Sequence, residues 1–124
     1  MGVAAAGAAI KSQCKGGSMY LPGIYEKFSH EFSDITEKYK QLGVACRSAG
    51  PLDQKTQDLI KLGVSIGLAS QGAVRSHTRK ALASGATREE IIHVVVLSLT
   101  TTGFPQMIAA LGWVEEVLEK ELSR

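Results

Sequence analysis

The chain has 124 residues, 44% of them hydrophobic and 21% charged, which suits one small globular domain and leaves no room for two ordinary ones. Only 6% are aromatic, so the core must be aliphatic. Fourteen Lys and Arg against twelve Asp and Glu give a net charge of +2, too weak to argue for nucleic acid or an anionic membrane as a partner.

In chain order, residues 1–18 carry four Gly, no aromatic residue and no sustained amphipathic period, and read as a disordered N-terminal extension. A single helical domain is expected over residues 19–124, with Pro22 at a helix start. Ile24, Phe28, Phe32, Ile35, Tyr39 and Leu42 recur every three or four residues and predict one apolar helical stripe, which Ser29 or Ser33 divides if it is two helices. Residues 48–51 (Ser, Ala, Gly, Pro) form a loop, and Asp53 is placed to cap the next helix. Residues 55–69 are apolar on nearly all sides, which predicts a central, deeply buried helix.

Ser70, Gln71 and Gly72 mark a turn or kink before a helix over residues 73–84, in which Val74, His77, Ala81 and Leu82 share a face and Gly85 is the C′ residue. Thr87 and Glu90 have the spacing of a capping box opening an apolar helix over residues 91–101. Gly103 breaks the chain, and Pro105 sits in the first turn of a last helix with Met107, Ile108, Leu111, Val114 and Leu118 on one stripe. No strand pair is convincing, so the fold is all-α.

Cys14 and Cys46 match neither a Cys-x-x-Cys redox pair nor a zinc ligand set, and read as two unpaired thiols. The longest apolar run, residues 91–99, is interrupted by His93 and Ser98 and is too short for a membrane span. Residues 1–10 lack the basic lead and Leu-rich centre of a signal peptide, so the expected location is the cytoplasm. His30, His77 and His93 are too scattered for a metal site.

Leu52-Asp53-Gln54-Lys55-Thr56-Gln57-Asp58-Leu59-Ile60, the hairpin through His77, Ala83-Ser84-Gly85-Ala86-Thr87-Arg88-Glu89-Glu90-Ile91 and Gly103-Phe104-Pro105 together resemble the carboxymuconolactone decarboxylase family, which includes the alkylhydroperoxidase D-type proteins. The resemblance covers residues 51–118. It implies five or six helices around the hairpin of residues 55–84, and homo-oligomers, often trimers or hexamers, with pockets near subunit contacts.

In the peroxidase branch the resemblance implies a Cys-x-x-Cys-x-x-x-His run preceded by an acid on the other arm of the hairpin. With the family His on His77, the two thiols fall on Ser70 and Ala73 and the acid on Asp58. Peroxide reduction needs a thiolate and a second, resolving thiol, and neither Ser nor Ala supplies one. In the decarboxylase branch, which acts on a lactone diacid, the resemblance implies polar and basic residues in the equivalent cavity. His77 and Asp58 are then the catalytic candidates, with Arg75, Ser70 and Gln71 as substrate-binding candidates and no cofactor or metal.

A carboxylate beside one imidazole nitrogen fixes the tautomer and raises the basicity of the other, which serves a general base, while the planar Arg fork suits a substrate carboxylate. The expected function is acid–base chemistry on a small carboxylated molecule. Two alternatives stand beside it: an antioxidant peroxidase working through Cys46, and a non-catalytic oligomeric binding protein. Each candidate also has a structural reading, His77 as a satisfied interior histidine, Asp58 as a helix-dipole partner, Arg75 as a solvated surface charge and Cys46 as a small buried residue.

Overall fold

The computed structural model describes residues 23–123. The expected N-terminal extension, Cys14 and the helix start at Pro22 lie outside them. The described residues are all-α, in seven helical segments: α1 (Gly23–Glu31), α2 (Ser33–Arg47), α3 (Gln54–Gly67), α4 (Gln71–Ala83), α5 (Arg88–Leu97), the single turn α6 (Leu99–Thr102) and α7 (Phe104–Leu122). The described residues fall into two compact units, one ending at Pro51 and the other beginning at Leu52. The break falls in the loop of residues 48–51, where Gly and Pro end α2.

In the first unit, α1 passes into α2 through a single non-helical residue, Phe32, at φ −126° and ψ 58°. The Phe32 N–H still donates to the Phe28 carbonyl at 2.8 Å, and the Thr36 N–H to the Phe32 carbonyl at 3.0 Å. The residues buried on α2 are Thr36 and Val44. The apolar stripe read from the sequence is instead exposed at all six positions, from Phe28 at 42% to Ile24 at 74%. A hydrophobic period fixes which residues share a face but not what, if anything, covers that face.

The second unit is built on the α3–α4 hairpin, with α4 packed on α7 and α5 lying against both α3 and α7. Its core is aliphatic, as the low aromatic content requires: Leu62 and Ile66 from α3, Val74 and Ala81 from α4, Ile91 and Val95 from α5, and Met107, Ala110, Val114 and Leu118 from α7. Burying each of these larger side chains contributes about 1.5–3 kcal/mol. The expected deep burial of α3 on all sides is corrected, because Ile60, Val64 and Leu68 are exposed on its outer face. Ile108 likewise lies outside the buried stripe of α7, which runs through Met107, Ala110, Val114, Val117 and Leu118.

The caps explain where these helices begin and end. The Asp53 side chain accepts from the Thr56 N–H at 2.9 Å. Thr87 and Glu90 form the full capping box: Thr87 Oγ1 accepts from the Glu90 N–H at 3.1 Å, and Glu90 Oε1 from the Thr87 N–H at 2.9 Å. These bonds satisfy amide groups that have no partner within the helix. The α4 C-terminus closes in a Schellman motif, in which the N–H groups of Gly85 and Ala86 donate to the carbonyls of Leu82 and Ala81 at 3.0 Å, with Gly85 at φ +95°.

Helix α3 ends in the same way, the N–H groups of Ala69 and Ser70 donating to the Ile66 and Ser65 carbonyls, but here Ala69 occupies the left-handed position at φ +54°. The α7 side chain Gln106 reaches back to the same end, its Nε2 donating to the Ile66 carbonyl at 2.8 Å and the Gly67 carbonyl at 3.1 Å. The apolar run predicted over residues 91–101 is cut at Ser98, whose hydroxyl donates to the Val95 carbonyl at 2.7 Å. Ser98 separates α5 from the one-turn α6, and Gly103 at φ +96° sets the entry to α7.

Candidate active site

Asp58 lies in the second turn of α3, 2% exposed. Its Oδ2 accepts from the hydroxyl of Ser84, the residue that ends α4. The bond joins the start of one antiparallel helix to the end of the next and fixes their register. A buried carboxyl without donors would cost several kcal/mol, so a hydroxyl aimed at it is the expected compensation. Sequence reasoning missed Ser84 as a partner; the signal available was its i, i+7 relation to His77 across Ala81, which places all three on one face of α4.

His77 occupies the middle of α4, half-buried, with its Nδ1 enclosed. Val74, Thr78 and Ala81 around it are buried, and the Thr78 hydroxyl donates back to the Val74 carbonyl at 2.7 Å. The carboxyl of Asp58 is anchored at the Ser84 end of the row on which His77 stands. Seven residues separate Ser84 from His77, about 10 Å along the helix axis. Both Asp58 and His77 are engaged within the fold.

Ser70 is the N-cap of α4, its Oγ accepting from the Ala73 N–H at 3.4 Å. Ser70 and Ala73 thus occupy the first turn of α4, at the positions where the resemblance expected thiols. Gln71 is exposed, and with its amide oxygen turned toward Arg75 it accepts from Nη1 at 2.6 Å and Nη2 at 2.9 Å. Arg75 is not the solvated surface charge of its structural reading. Its Nε and Nη2 donate to Glu116 Oε1 on α7, at 3.2 and 2.5 Å. The guanidinium is held between Gln71 and Glu116 at the α4–α7 contact.

The α7 carboxylates pair with both neighbouring helices. Glu115 takes both Arg88 Nη groups at 3.0 and 2.9 Å, and Glu121 lies 4.0 Å from Arg79. Lys55 on α3 reaches Glu90 Oε2 at 3.0 Å, joining the capping box to the start of the hairpin. The Thr87 N–H and the Lys55 ammonium together hold the Glu90 carboxyl below the usual range, and the bonds from Thr56 lower Asp53 in the same way.

Cys46 is a free thiol and is exposed on α2, not buried as its structural reading had it. It belongs to the first compact unit, whereas Asp58, Ser70, Gln71, Arg75, His77 and Ser84 all belong to the second. Among the described residues no three of His, Cys, Asp and Glu form a group able to hold a metal ion, and no helix is long and apolar enough to cross a membrane.

The sequence matches the model of the carboxymuconolactone decarboxylase family over residues 33–116, more than half of the chain. The chain belongs to the carboxymuconolactone decarboxylase family. The match begins upstream of the residues that carried the resemblance, at the first residue of α2, and ends within α7. One similar relative is the uncharacterized protein MJ1511 of Methanocaldococcus jannaschii, 39% identical over 72 residues, which are 58% of this chain and 64% of that protein. The match therefore spans less than two thirds of that relative's length.

Proposed function

We propose that this member of the carboxymuconolactone decarboxylase family performs cofactor-free acid–base chemistry on a small carboxylated substrate, the decarboxylation of a lactone diacid being the first reaction to test. The observation that carries the reading is the carboxyl of Asp58, buried and held by Ser84 on the helical row that also bears His77. A carboxyl enclosed in an aliphatic domain is costly, and groups held under such conditions are candidates for chemistry. Ser70 and Ala73 in place of two thiols leave proton transfer, not dithiol redox chemistry, as what this hairpin can offer.

In this reading the C–C bond to the departing carboxylate breaks, CO2 leaves, and the electron pair passes into the conjugated lactone. His77 delivers a proton to the resulting carbanionic carbon, and Asp58, bonded to Ser84, holds the register of the helix that presents the imidazole. The Arg75 fork takes a remaining substrate carboxylate in exchange for Glu116, which is 62% exposed and so readily displaced. Ser70 and Gln71, in the first turn of α4, line the same approach as polar contacts.

The test follows carboxymuconolactone consumption and CO2 release with the purified protein. Wild type is expected to turn over, and His77→Ala and Asp58→Asn to lose activity by about 10²–10⁴-fold, the usual worth of general acid–base groups, with unchanged helical circular dichroism. Full activity in both variants would remove these residues from the reaction. Peroxide consumption abolished by Cys46→Ser would instead support the thiol alternative.

A further inference from the structure

Two arginines of the second compact unit bind carboxylates of α7 in different ways. Arg88 gives each Nη group its own oxygen of Glu115, at 3.0 and 2.9 Å, the parallel fork that suits a guanidinium best. Arg75 instead directs Nε and Nη2 at a single oxygen, Glu116 Oε1, at 3.2 and 2.5 Å. One acceptor atom thus serves an edge on which a carboxylate free to turn would place both of its oxygens.

The guanidinium does not depend on Glu116 for its position. With its amide oxygen turned toward Arg75, Gln71 takes the opposite edge, accepting from Nη1 at 2.6 Å and Nη2 at 2.9 Å. Helices α4 and α7 are also packed through the aliphatic core, to which Val74, Ala81, Ala110 and Val114 belong. One turn beyond Arg75, Arg79 makes a further link to α7, its Nε 4.0 Å from Glu121. With Glu116 turned away, Arg75 would still be a fixed, outward-directed fork with one open edge.

Building on Arg75 as the seat of a substrate carboxylate in the proposed reaction, we propose that Glu116 is a built-in competitor for that seat. It keeps the Nε/Nη2 edge filled while no ligand is bound, and it yields to a planar carboxylate that brings two oxygens to the edge. A tethered carboxylate competes at millimolar effective concentration, and the apparent affinity of any ligand falls by the fraction of seats left open. Exchange also changes how the site responds to salt. In wild type an incoming carboxylate meets the Arg75 charge and the released Glu116 charge together, and the two contributions oppose each other. Without Glu116 the ligand meets an uncompensated cation, an attraction that salt screens.

Titration of the full chain with 2-furoate, a five-membered ring carboxylate, followed by calorimetry or by NMR shifts, tests this. Glu116→Ala should bind furoate about 5–10-fold more tightly than wild type at low salt. Between about 50 and 500 mM NaCl that affinity should fall in Glu116→Ala and change little in wild type. Arg75→Gln in the Glu116→Ala background should abolish the gain, Glu121→Gln should leave furoate affinity at the wild-type value, and methyl 2-furoate should show no gain. Equal furoate affinity in wild type and Glu116→Ala, no binding to Glu116→Ala, or a gain that survives Arg75→Gln would overturn the competitor role. Should Glu116→Ala not fold, Glu116→Gln carries the same comparison. Tighter furoate binding by Glu116→Ala, with no lactone turnover by wild type, would uphold the competitor and remove the decarboxylase reading. Lactone turnover with unchanged furoate affinity would do the reverse.

Discussion

Ala69 holds a left-handed conformation at the turn between the two arms of the hairpin, at the position where Gly85 serves the next helix. A side chain there costs about 1–2 kcal/mol relative to glycine. Ala69→Gly should therefore raise the free energy of unfolding by about 1 kcal/mol, less whatever the greater freedom of the unfolded glycine takes back. A urea denaturation curve measures it, and a lower midpoint would mean that Ala69 packs in a way its backbone does not reveal. Ser84→Ala removes a donor from a buried carboxyl and should cost about 1–3 kcal/mol in the same assay. The caps at Asp53, Thr87 and Gly85 were legible because their chemistry is local to a few residues. Ser84 as partner of Asp58 was not, since that bond exists only once the register of two helices is set.

Helix α5 begins at a capping box whose glutamate also takes Lys55 from α3, so one carboxyl joins two elements. The carboxyls of Glu90 and Asp53 both lie below their usual range in the folded chain. A carboxyl depressed by folding contributes stability above its unfolded value and loses it as pH falls through the folded one. The urea midpoint should thus decline from about pH 5 downward. Glu90→Gln and Asp53→Asn, which keep their capping bonds, should each flatten that decline. A slope unchanged in both variants would mean that other carboxyls govern acid stability. At this scale the periodicity gave the number and order of the helices well, and misjudged their surroundings. The residues of α1, α2 and α3 share faces as read, but Tyr39 and Val64 face outward because a periodic pattern does not say which faces find a partner within the chain.

For the whole molecule, the resemblance rested on residues 51–118, and the family match over 33–116 shows that α2 belongs to the same architecture. The candidate site was legible as a set of residues on the α3–α4 hairpin, and less so as an arrangement. Arg75 is tied to α7 by Glu116, a contact joining residues 41 positions apart that no local motif announces. In the proposed reaction the hairpin carries out proton transfer with side chains alone. The most direct test is CO2 release from carboxyl-labelled carboxymuconolactone by protein freed of metals with chelator and dialysed against buffer. Multiple turnovers per chain, lost in His77→Ala, are the predicted result. Release that appears only on adding a metal ion or an organic cofactor, or that persists undiminished without His77, would rule out cofactor-free proton transfer by this hairpin.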